Sequence, residues 1–527
     1  MVRNRPQREP PTPRPLGDRD SRAPDPAIVA RLEQVRRLAA QGRTADALAL
    51  CRRLDHDVPR QPAILCLLGM LYTRSGALAQ ALAQLAEALL LAPSDATVLY
   101  HLSQVYLQAG APVHALHSLR HYHIEVQHAP SAPDLPDAAG LLAVLSGFMR
   151  DEPALTGLAP AARDKALMAA ERGRLRLLFS GAPEKALSDL REAIRLAPRY
   201  PQPRNNLSMA LFYNGQLAEA AGTLEATLRD LPPNVYALAT LAFVRWAAGG
   251  AAATGQPLLA QAEAALGPES RLLDRTRLAE VAGVLGDHAL AERVLIAGAA
   301  QPLPLEGSAV QTAARRLRAT ALANLGRSAE ALDELRATPP PPGDPFPGRL
   351  VAAISEEATL PAAVGGGYPY LRWDDLLAVH PLRRLLGSTG RRVPWAAPAP
   401  APAAVAARLP TLYPRLPTVG ALLLWAGAPA LETLGLTLLA LAGTPECAAV
   451  LAAHLSGTLG SYAGRQEAGY LLLDAGHLAN GSTVSFWNGS AWTDLQLFRL
   501  APRGRDLAAL CDTLRKGLDR LADPSAP

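Results

Sequence analysis

Residues 62–95 read PAILCLLGMLYTRSGALAQALAQLAEALLLAPSD, and three of them, Gly76, Ala81 and Pro93, set the period of the chain. Thirty-four positions upstream stand Gly42, Ala47 and Pro59, and 34 downstream Gly110 and Ala115. The same step joins Gly181, Gly215 and Gly249, Ala186 with Ala220, and Pro198 with Pro232. Three residue types in phase across two blocks mark an internal repeat. Each marker has a physical task. Glycine suits the tight turn where a first helix ends. Alanine suits the place where a second helix crosses the first too closely for a larger side chain. Proline stops that second helix before the next unit begins. Between the markers, Leu68, Tyr72, Leu85 and Ala88 recur at helical spacing, the apolar stripe of an amphipathic pair. One pair cannot bury its stripe alone, so neighbouring pairs must stack.

The pattern resembles the tetratricopeptide repeat. Residues 62–95 carry Leu65, Leu68–Gly69, Tyr72, Gly76, Ala81, Leu85, Ala88 and Pro93 at its positions, and 201–234 carry Leu207, Leu211, Gly215, Ala220, Leu224 and Pro232. The resemblance implies an all-α fold, a tetratricopeptide α-solenoid in which helix pairs wind into a right-handed superhelix. Units are expected at 28–61, 62–95, 96–129, 167–200 and 201–234, with a sixth from 235 and weaker ones centred on Gly286 and Gly326. Gly147 lies 34 before Gly181, which suggests a degenerate unit or a joint. The domain reading is a disordered tail at 1–26, a first array of three units at 27–129, the joint at 130–166, and a second array of about five units at 167–338.

The C-terminal third breaks the period. PPPPGDPFP at 339–347 reads as a polyproline linker, and a Pro/Ala run at 396–404 separates the next piece, so 339–404 is taken as linker plus an unassigned segment. Residues 405–481 form apolar helices. Within them TPECAAVLAAHLSG (444–457) and GRQEAGYLLLDAGHL (464–478) resemble a HEAT-like helical pair, with Arg465, Ala468 and Asp474 carrying the likeness. STVSFWNGSAWTDLQLFRL (482–500) turns β-rich around Asn488–Gly489, a dipeptide suited to a type I′ hairpin turn with positive φ at both positions. The ribbon is expected to cap the apolar helix ends, and 501–527 to form a last helix and tail. VGALLLWAGAPALETLGLTLLALAG (419–443) is long enough to span a membrane, but Pro429 and Glu432 at its centre favour two buried helices joined at Gly427–Pro429.

Composition bounds the function. Of 52 basic residues, 49 are arginine, which points to a GC-rich bacterial genome; they are interspersed with Asp and Glu and form no basic stripe of the kind nucleic acid requires. Cys51, Cys66, Cys447 and Cys511 show no CxxC spacing and read as buried free thiols, hence a reducing, cytoplasmic setting. No P-loop, HExxH, GxGxxG or GxSxG motif is present, so a catalytic role is not expected and no cofactor is assigned.

The expected function is a non-catalytic scaffold or adaptor whose partner is a protein or peptide. In the resembled family the first helices of successive units line a concave groove. In 167–248 the groove candidates are Arg172, Gln202, Asn205, Asn206, Met209, Phe212, Tyr236, Phe243 and Trp246. Asn206 stands where many such proteins carry an asparagine that grips a peptide backbone, its amide offering both donor and acceptor. Arg172 suits a carboxylate, and the aromatics suit apolar anchors. The alternative is a metal- or small-ligand-responsive regulator using the histidine-rich helix 114–128. There His114, His117 and His121 share a helix face, and His101 comes from the preceding helix.

Overall fold

In the computed structural model, residues 26–128, 138–150, 153–179, 183–268, 270–296, 308–337, 345–387, 400–499 and 504–522 are described. The tail read at 1–26 lies outside them except for Pro26, and so does most of 339–347.

Helical hairpins follow one another in the predicted phase. The first array pairs α1 (Pro26–Ala40) with α2 (Thr44–Asp57), α3 (Pro62–Arg74) with α4 (Leu78–Leu91), and α5 (Ala96–Gln108) with α6 (Pro112–His128). A single helix, α7 (Ala138–Arg150), stands at the joint. The second array pairs α8 (Pro160–Phe179) with α9 (Pro183–Leu196), α10 (Pro201–Tyr213) with α11 (Leu217–Asp230), α12 (Val235–Ala247) with α13 (Gln256–Ala264), α14 (Leu272–Val284) with α15 (His288–Ile296), and α16 (Ser308–Asn324) with α17 (Ser328–Arg336).

The markers act as their chemistry requires. Gly42, Gly76, Gly110, Gly215, Gly249, Gly286 and Gly326 all sit at positive φ, between 68° and 98°, where a Cβ would be strained. Ala47, Ala81, Ala115, Ala186 and Ala220 are each 0% exposed, and the weaker units repeat this at Ala291 and Ala331. Gly69 and Gly173 mark closer contacts still: a Cβ there would fall 2.4 Å from Leu85 Cγ and 2.6 Å from Leu190 Cγ. Gly147 does not behave as a marker. It lies inside α7, so the 34-residue step from it carries no repeat, and α7 forms the joint alone.

Two cores result. One runs from Leu32 to Val105 within the first array; a second is continuous from Ala186 to Leu518. At the joint, Arg174 Nη2 donates to Ala109 O at 2.8 Å and Glu171 accepts from the amides of Val113 and His114, so α8 closes the last turn of the first array. Ala81→Leu inserts three carbons between α3 and α4 and should cost about 1–3 kcal/mol. Because the first core is separate, hydrogen exchange should show protection lost in 26–108 and kept in 183–296.

The second core extends into the stretch taken as linker plus an unassigned segment. Beyond α17 come α18 (Phe346–Ser355), α19 (Trp373–Leu376) and α20 (Val379–Leu385), then α21 (Pro402–Leu412), α22 (Leu416–Ala426), α23 (Pro429–Ala442), α24 (Pro445–Leu455), α25 (Tyr462–Asp474), and α26 (Leu507–Ala522). Leu350, Tyr370, Leu382 and Leu386 of that stretch are buried in the same core as the array. The stretch 419–443 is the expected helix pair, α22 and α23, broken at Gly427 (φ 76°). Among the described residues no helix is long and apolar enough to cross a membrane.

Antiparallel strands β1 (Thr483–Trp487) and β2 (Trp492–Gln496) form the ribbon, with Trp487 opposite Trp492. Its turn is not the two-residue type I′ expected. Only Gly489 has positive φ, and the Asn488 side chain accepts from the amides of Ser490 and Ala491, which stabilises a four-residue loop. The ribbon does pack on helices: Phe486 and Leu497 are buried, and a Cβ at Gly469 of α25 would meet Leu497 Cδ1 at 2.7 Å.

Candidate protein-binding groove

The first helices of the second array form a row, α8 against α10, α10 against α12, α12 against α14, and α14 against α16. Their apolar stripes bind the row together, and their remaining faces line it. Sequence reasoning placed the candidate residues on this row, and the structure divides them.

Asn205, Phe212 and Phe243, expected to face outward, are buried, because the row is packed more tightly than one helix's periodicity reveals. Gln202, Asn206, Met209 and Tyr236 remain half-buried along it. Arg172 is held by its own unit: its Nε donates to Asp189 Oδ1 at 2.8 Å, and Arg176 shares that carboxylate. Trp246 is covered by Arg415, whose guanidinium lies 4.7 Å from the ring centre and whose Nε donates to Trp246 O at 2.9 Å.

The aromatic candidates converge on a residue the sequence reading missed. Arg277 of α14 sits 4.6 Å over Phe243 and 5.9 Å from Tyr236, pairs with Glu280 at 2.5 Å, and donates to Thr240 Oγ1 at 3.2 Å. At 9% exposure it is nearly enclosed. Two arginines, Arg275 and Arg277, inside the apolar stripe of a weak repeat were the available signal.

One edge of the row is already occupied by the chain itself. Residues 366–384 run along the C-terminal ends of the first helices, from the last unit back towards the first. Tyr368 meets Asn324, Tyr370 meets Gly283 and His288, Pro381 lies against Gly215, and Arg384 donates to Asn214 O. The segment starts from Gly365, Gly366 and Gly367, all at positive φ, a run only glycine adopts without strain. On its far side it is tied to the C-terminal helices: Tyr413 donates to Ala378 O, and Arg383 to Leu518 O.

Asp375 in this segment is pushed up to about 7, first by burial, then by Glu280 and Asp374. The hydrogen bond from the Arg372 amide and the charge of Arg316 oppose the rise. Arg277 and Glu280 from α14, Arg316 from α16, Tyr213 from α10, and Arg372 and Asp374 from its own turn are the charged and titratable groups around it. A carboxyl raised above its ordinary 3.8 favours the packed state when protonated. Its contribution is therefore complete below that ordinary value and lost as pH rises through about 7. Thermal stability should fall over this range, and Asp375→Asn should flatten the profile.

The histidine candidates face different partners. His114 Nδ1 lies 2.8 Å from Glu171 Oε2, turned towards α8. His101 is half-buried on α5, His117 is held below its ordinary pKa by burial and Arg120, and His121 is exposed. Among the described residues, no three His, Cys, Asp or Glu side chains come together to hold a metal ion. All four cysteines are buried and free, and burial pushes the thiols of Cys51 and Cys66 up to about 12. A cavity of about 360 Å³ lies between 357–362 and α22 and α24, with His454 in its wall, but that imidazole is already 3.2 Å from Glu432 Oε1.

Compared with protein families, residues 66–120 and 175–235 match the tetratricopeptide repeat. No curated protein matches the chain. Among solved structures, yeast Tom70 aligns at 12% identity over 95% of this chain and 98% of its own, with a TM-score of 0.28. A tetratricopeptide repeat protein from Parabacteroides merdae aligns at 13% over 55% and 98%, with a TM-score of 0.26. The Cut9–Hcn1 hetero-tetramer of APC/C aligns at 12% over 61% and 89%, with a TM-score of 0.30. These scores are too low for the likeness to carry an arrangement or a function to this chain.

Proposed function

From the premise that the chain carries tetratricopeptide repeats at 66–120 and 175–235, we propose that it is a non-catalytic protein–protein interaction scaffold whose second array binds partner peptides along its row of first helices. The observation that carries this reading is the seating of residues 366–384 on that row, because there a stretch of the chain is held by side chains of the first helices. The edge bearing Gln202, Asn206, Met209 and Tyr236 is left for a partner. Asn206 would grip its backbone, while Arg172, tied to Asp189, serves the scaffold. The arginine-rich composition and the four buried thiols support a bacterial cytoplasmic setting, and the packing of α24 against α25 supports the HEAT-like reading of 444–478.

The test is affinity capture with the full chain, its Asn206→Ala variant and its Gln202→Ala variant. Binding is then measured between the purified chain and each protein released. A partner that binds the wild type directly and loses about tenfold in affinity, roughly 1.4 kcal/mol, on Asn206→Ala supports the groove. An unchanged affinity for every captured protein refutes it.

A further inference from the structure

The cavity of about 360 Å³ between residues 357–362, α22 and α24 has a fixed apolar floor. Leu360, Ala421, Leu424 and Trp425 line it and are buried. Trp425 is held by Phe346, with ring centres 5.3 Å apart, and by Arg349, whose Nε donates to Trp425 O at 2.9 Å. A pre-formed, mostly apolar cavity with a few placed polar groups is the usual form of a small-molecule site. A dry cavity of about 150 Å³ takes one benzene ring. The present volume therefore admits a bicyclic ring system with a short side chain.

Four polar side chains line the cavity, and their burial orders them by depth. Glu357, Thr359 and Thr458 are exposed at the rim, whereas His454 is only 5% exposed. Glu432 commits one nitrogen of that imidazole. Burial raises the Glu432 carboxyl, but the hydrogen bonds from His454 and Ser461 outweigh it and keep the group ionised, an acceptor only. The 3.2 Å contact is therefore a donation from His454 Nε2, which leaves the lone pair on Nδ1. Nδ1 has no hydrogen-bond partner among the described residues. The deep polar group is thus an acceptor of fixed tautomer. At the rim the charge is negative: the lining holds no arginine or lysine, and Glu357 makes no ion pair among the described residues. Such a rim favours a cation over an anion.

We propose that this cavity binds a bicyclic aromatic amine bearing a ring hydroxyl, with the ring on Leu424 and Trp425, the hydroxyl donating to His454 Nδ1, and the ammonium at Glu357. The site is separate from the peptide groove, since none of the groove candidates lines it. It is nevertheless connected to the row of first helices. Leu360 of its wall donates its amide to Gly367 O at 2.8 Å, where the stretch seated on that row begins. An occupied cavity therefore steadies the wall from which that stretch starts.

The test is calorimetric titration of the full chain with three matched probes: 5-hydroxytryptamine, tryptamine and 5-hydroxyindole-3-acetate. The first should bind one to one. Tryptamine lacks the hydroxyl and should bind about tenfold more weakly. The acetate carries an anion in place of the amine and should bind at least about fivefold more weakly. His454→Gln keeps a donor for Glu432 and removes Nδ1, so the preference for 5-hydroxytryptamine over tryptamine should vanish. Glu357→Gln, at an exposed position, should abolish the preference for the amine over the acetate. No binding of 5-hydroxytryptamine to the wild type, equal wild-type affinity for it and tryptamine, or either preference surviving its variant overturns the proposal. Should His454→Gln fail to fold, the three probes on the wild type and on Glu357→Gln decide. Hydrogen exchange locates the site: 5-hydroxytryptamine should slow exchange at 357–364, and slowing found only elsewhere overturns the assignment to this cavity.

Discussion

Arg465→Met is expected to cost about 3–5 kcal/mol, the range found when one member of a buried charged network is removed. Arg465 is 2% exposed. Its Nη1 donates to the carbonyls of Thr458, Leu459 and Gly460, and its Nη2 reaches Trp487 O at 2.8 Å. The single guanidinium therefore joins the α24–α25 loop to the ribbon. From the other side Glu432 accepts from the Ser461 amide at 2.8 Å and its hydroxyl at 2.6 Å, and lies 3.2 Å from His454 Nε2. Burial alone would raise the Glu432 carboxyl, but the hydrogen bonds from His454 and Ser461 outweigh it and hold the group below its ordinary value. Methionine fills the arginine's volume and leaves these carbonyls without their donor. The change should appear in urea unfolding and in the fluorescence of the adjacent Trp487 and Trp492. Arg465→Lys should not restore stability, because one ammonium cannot reach both the loop and the ribbon.

Arg277→Leu should be of similar size, about 3–5 kcal/mol, and its consequence falls on the groove. The substitution leaves Glu280 without its cation while Asp374 and Asp375 remain nearby. It also removes the charge stacked on Phe243. The expected result is a lower melting temperature at pH 7, partly recovered near pH 5 as the carboxyls protonate. Arg277→Leu with Glu280→Leu removes both members and should recover most of the loss. A single variant as stable as wild type would show that Arg277 does not hold the row together.

How much of this was legible in sequence depended on whether a residue's task repeats. Gly76, Ala81 and Pro93 have counterparts that do the same work in other units, so their period exposes the hairpins before any coordinates are known. Residues 345–387 have no period, because their contacts answer to the spacing of different helices in the array. Tyr368 is placed by Asn324, Tyr370 by Gly283 and Pro381 by Gly215, and no local pattern announces such a match. They consequently stayed unassigned beside the Pro-rich linkers. The groove was legible in part. Helical position told which face Phe212 and Phe243 occupy, but not that neighbouring helices and Arg277 close over them. The asparagine grip was anticipated in kind at Asn206, and the one seen in the structure is at Asn324 in a weaker unit. At Asn488–Gly489 the residues pointed to a hairpin correctly, but the Asn488 side chain selected a longer loop than backbone preference alone would give.

The most direct test of the scaffold reading is photo-cross-linking from two positions of the full chain. One is Asn206 on the open edge of the first-helix row; the other is Leu90, 82% exposed on α4 of the first array. A photoreactive residue at 206 should cross-link a partner that unlabelled wild-type chain competes away, and the same residue at 90 should not. Cross-links to that partner from 90 and none from 206 would place binding outside the groove and contradict the account.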